Sequence, residues 1–87
     1  MLVSVDGVNP FFKERTIEIV EGLDFANFRY TTVEGQMPTS VVFECDSEDE
    51  NLVIPGVKWA LRMSDIGALM LFRVVPYGQL MWFRKKD

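Results

Sequence analysis

Apolar residues in this chain come in short runs broken by Gly, Pro, Asn and Asp, and the period of each run predicts its structure. Residues 2–5 read as a short strand stopped at Asp6-Gly7. From Asn9 to Gly22 two periods compete. Asn9 suits an N-cap, Pro10 the first helical position and Gly22 the stop, which places Phe12, Thr16, Ile19, Val20 and Leu23 on one helical face. The β-branched Thr16, Ile17, Ile19 and Val20 favour a strand instead. Caps at both ends decide for a helix. Residues 27–33 and 39–45 alternate as strands around Glu34-Gly35, with Pro38 before the second. In that second strand Val41, Phe43 and Cys45 face one way, and Val42 and Glu44 the other.

Residues 55–65 carry a second conflict. Val57, Trp59, Leu61 and Met63 alternate like a strand, but Ala60, Leu61, Arg62 and Met63 are strong helix formers. Pro55 suits a first turn and Gly67 a C-terminal cap, so a helix is expected. Residues 68–75 and 79–84 read as a hairpin, apolar on both faces, joined by Val75-Pro76-Tyr77-Gly78 in a type I turn with a bulge. The resulting order implies an α+β fold: a small antiparallel sheet with one or two helices, in a ferredoxin-like split βαβ arrangement plus a C-terminal hairpin strand. If both helices were instead strands, a small all-β barrel would follow.

Length sets one expected domain, residues 1–87, at a size where little apolar surface can be spared. Yet 48% of the residues are hydrophobic, which argues for a packed core and for apolar surface left over. A homodimer or a partner surface is therefore expected. The formal net charge of −4 speaks against direct nucleic-acid binding. The N-terminal residues have neither a basic start nor a long apolar stretch, so no signal peptide is expected. Residues 68–72, the longest apolar run, are too few to span a membrane. With Cys45 as the single cysteine, a reducing, cytoplasmic setting is the simpler expectation.

Candidate chemistry is sparse. Without histidine, the usual general base and commonest metal ligand are missing, and no phosphate-binding glycine loop can be read. No enzyme, cofactor or metal is expected. Cys45 reads as a small buried hydrophobe, since the charges of Glu44 and Asp46 oppose a thiolate. Asp6, Asp24 and Asp65 stand beside turn residues and are expected to bond local backbone.

The largest composition shift is the acidic run containing Glu44, Asp46, Glu48, Asp49 and Glu50. It fails as a calcium loop, because Asn51 holds the glycine position and Val57 that of the terminal glutamate. It can be a hydrated loop near a helix start, or a surface for a basic protein, including an inhibitor that imitates phosphate. A second candidate, for nucleic acid, is the basic hairpin with Arg73, Arg84, Lys85 and Lys86 beside Trp82 and Phe83. The expected function is a non-enzymatic protein-interaction module or small inhibitor presenting an acidic and apolar surface. The alternative is a small nucleic-acid-binding module.

Overall fold

Valines at alternate positions of the first strand begin the core. The computed structural model describes residues 1–35 and 39–77. In order these form β1 (Leu2–Val8), α1 (Lys13–Glu21), β2 (Phe28–Glu34), β3 (Thr39–Cys45), α2 (Glu50–Arg62) and β4 (Arg73–Pro76). Short 3-10 turns, Pro10–Phe12 and Gly67–Leu69, precede α1 and follow α2. The sheet order is β2-β3-β1-β4 with every neighbouring pair antiparallel. β3 thus lies between β1 and β2, which is the expected split βαβ, ferredoxin-like arrangement. Among the described residues β2 and β4 form the two edges, so the sheet is open and the barrel alternative is excluded.

Register sorts the side chains. Val3 lies opposite Phe43, and Val5 opposite both Val41 and Val74, all buried on one face. Val20 of α1 and Val53, Val57 and Leu61 of α2 complete this core. The other face is more polar. Asp6 accepts hydrogen bonds from Ser4 Oγ (2.7 Å) and Ser40 Oγ (2.8 Å), and both serines are buried. The Tyr77 hydroxyl donates to the Glu34 carboxylate.

Several expectations are corrected. β1 does not stop at Asp6-Gly7; it runs to Val8 through an irregularity that Gly7, at φ +82°, makes accessible. A Cβ on Gly7 would also lie 2.7 Å from the Leu71 carbonyl oxygen. α2 begins at Glu50 rather than at Pro55, because Asp49 accepts from the Asn51 amide and caps it. It ends at Arg62, and Gly67 instead seats the following turn against the Arg62 and Leu61 carbonyls, where a Cβ would collide. The strand expected over residues 68–75 is extended and paired only from Arg73, and Val75 and Pro76 lie in β4 rather than in a turn. The rest of that hairpin, residues 78–84, lies outside the described residues, as does Pro38. The span from Pro10 to Glu21 is helical as expected, but in two parts: Asn9 accepts from the Phe11 amide and caps the 3-10 turn that Pro10 opens, while α1 starts at Lys13 without a side-chain cap and is closed by Gly22.

Candidate functional site

The acidic run is built into the end of the sheet and the start of α2. Glu44 pairs with Arg29 across the β2–β3 ladder. Asp46 accepts from the Asn27 amide at 2.9 Å and from its side-chain nitrogen at 2.7 Å. The Asn27 amide, and then the Asn27 side chain, hold the Asp46 carboxyl below its usual range. Glu48 receives the Met1 amino group at 2.9 Å, and that group also donates to the Cys45 carbonyl at 2.7 Å. Asp49 caps α2, and Glu50 lies in its first turn, where the helix dipole favours a carboxylate. Of the five, Glu44, Asp46 and Glu48 line one open groove of about 530 Å³ together with Met1, Asn27 and Arg29.

That groove holds paired charges rather than a reactive group. Cys45 is buried, and its sulfur accepts from the Ser47 amide at 3.4 Å. Among the described residues no three His, Cys, Asp or Glu side chains converge as a metal site. Asp6 bonds the two serine hydroxyls, and Asp65 reaches Arg15 at 3.0 Å, so neither serves local backbone as expected. The Arg15 guanidinium is held above its ordinary pKa by Glu18 first and Asp65 second. Of the basic candidates, Arg73 is exposed on the edge strand opposite Asp6, and Arg84, Lys85 and Lys86 lie outside the described residues.

Sequence reasoning missed a third feature, the outward face of α2. Val53, Val57 and Leu61 bury one side of this helix. Diametrically opposite stand Leu52, Pro55, Trp59 and Met63, at i, i+3, i+7 and i+11 and all exposed. Trp59 and Met63 are each 65% exposed and Leu52 47%. Leu69, also 65% exposed, lies in the turn that Gly67 seats on the end of α2. A helix apolar on two opposite faces has more apolar surface than its own fold covers. The spacing was available in the sequence, but only to a reading that starts α2 before Leu52.

Packing around the stripe fixes the helix without covering it. Gly56 lies under the Phe25 ring, which a Cβ there would displace, and Phe25 stacks edge-to-face on Phe28 at 5.5 Å. Pro55 stands inside the helix with its ring exposed. It removes a backbone donor at a position where the fold gains no burial.

No family model, curated protein or solved structure matches this chain. No helix among the described residues is long and apolar enough to cross a membrane.

Proposed function

We propose that this chain is a non-enzymatic protein-interaction module whose contact surface is the outward face of α2. The observation that carries this reading is Trp59, a large aromatic held on a rigid helix and 65% exposed. Exposed tryptophans on rigid elements are the usual anchors of interfaces, and Leu52, Pro55 and Met63 extend the anchor into a patch. Methionine and proline add adaptable and pre-organised apolar contact. The sequence expectation of an acidic and apolar surface is thereby re-sited. Its apolar part moves from residues 68–84 to α2, and its acidic part becomes the rim formed by Glu48, Asp49 and Glu50 at the start of that helix. Such a rim favours a partner surface with basic residues facing it, and affects encounter more than affinity. The buried thiol of Cys45, the single cysteine, supports a cytoplasmic location.

The test is capture of partners from extract of the native host by immobilised wild type, Trp59→Ala and Thr31→Ala. Thr31 is exposed on β2, away from α2. Proteins retained by wild type and Thr31→Ala but lost with Trp59→Ala are expected. Equal retention by all three removes α2 from the interaction.

A further inference from the structure

We infer that the occupant of the α2 face is a second copy of this chain, docked antiparallel across a two-fold axis. This rests on the reading of α2 as the contact surface and names its partner. The stripe is complementary to itself. A two-fold axis between residues 57 and 58 sets Leu52 level with Met63 of the second copy, and Pro55 within one residue of the level of Trp59 of the second copy. The apolar stripe from Leu52 to Met63 then lies against itself over about 17 Å, with charged residues at its two ends. A flat proline ring against an indole is a favourable apolar pair, which gives Pro55 a purpose that its exposed position in the isolated chain lacks.

Charge fits the same arrangement and no parallel one. The start of α2 is acidic, with Asp49 and Glu50 exposed and Glu48 already paired with the Met1 amino group, and its last turn is basic, with Arg62 exposed and Asp65 beyond it paired with Arg15. Antiparallel docking brings the basic end of each helix to the acidic end of the other and also opposes the two helix dipoles. Parallel docking would set acid on acid. One helix face is smaller than a standard stable interface of roughly 800 Å² per partner, so a weak, concentration-dependent dimer is expected.

Sedimentation equilibrium of the full chain between about 1 and 500 μM tests this. Wild type should pass from monomer to dimer in the micromolar range. Trp59→Ala should raise the dissociation constant at least tenfold. Arg62→Glu should raise it several-fold at low salt, and by less as salt increases. Pro55→Ala should weaken the dimer while melting no lower than wild type, which separates contact from folding. A monomer at every concentration, a dimer indifferent to both Trp59→Ala and Pro55→Ala, or open-ended oligomers would each overturn the inference. If wild type is monomeric while partner capture still depends on Trp59, the second copy is the wrong occupant and the α2 surface stands. If wild type dimerises through Trp59 and captures nothing else, the second copy is the partner.

Discussion

Asp46 illustrates how a candidate binding carboxylate becomes part of the fold. Both its oxygens are occupied by Asn27, whose backbone amide is the larger cause of its lowered pKa and whose side chain is the second. The fold therefore favours the ionised form. Its contribution is fully present above the unfolded value of about 4, and is lost as pH falls through the lower folded value. Asp46→Ala should melt below wild type at pH 7, with the gap closing in scans taken below about pH 4. Thr16 gives a prediction of opposite sign. Its hydroxyl is buried with no hydrogen-bond partner among the described residues, so Thr16→Val should raise the unfolding free energy by about 1 kcal/mol in denaturant titrations. At this scale the sequence was informative about Cys45, whose place on the Val41 and Phe43 face follows from alternation alone. It was uninformative about Asp6, Asp46 and Asp65, because their partners Ser40, Asn27 and Arg15 are brought close only by the fold.

α1 and α2 show what local signals can and cannot mark. The helical span before β2 announces itself with Asn9 capping its 3-10 turn and Gly22 closing α1. In α2 the true cap, Asp49, is hidden within a run of carboxylates, and Pro55 imitates a first-turn proline. Pro55 in fact stands inside the continuous helix, where it lacks a backbone donor, so Pro55→Ala should stabilise the fold by about 1–3 kcal/mol, measured in dilute solution where chains are monomeric. Asp49→Lys removes the cap and places a cation at the positive end of the dipole. It should cost about 1–2 kcal/mol in the same titration, whereas Glu50→Lys should cost less, since Glu50 caps nothing. The expected hairpin strand failed for a comparable reason. Leu69 and Leu71 look like core in a run of apolar residues, but they stand 65% and 96% exposed, and only Met70 between them is buried.

For the whole molecule, two periods were enough to read the topology: alternation in β1 and β3 and the capped span of α1 imply a split βαβ order. The outward apolar face of α2 was less legible, because one run of sequence supplies both a core face and this face, and only burial distinguishes Leu61 from Trp59. The apolar residues are many for so short a chain, and α2 is where the described residues expose much of the excess. The central claim is that the outward face of α2 meets another protein. It is tested most directly by placing a photo-crosslinking residue at Lys58, exposed beside Trp59 on α2, or, as control, at Thr31, and comparing the covalent adducts formed in native extract. Adducts from position 58 that are absent from position 31 are the expected result, with a species of twice the chain mass among them. No adduct from position 58, or the same adducts from both positions, would contradict it.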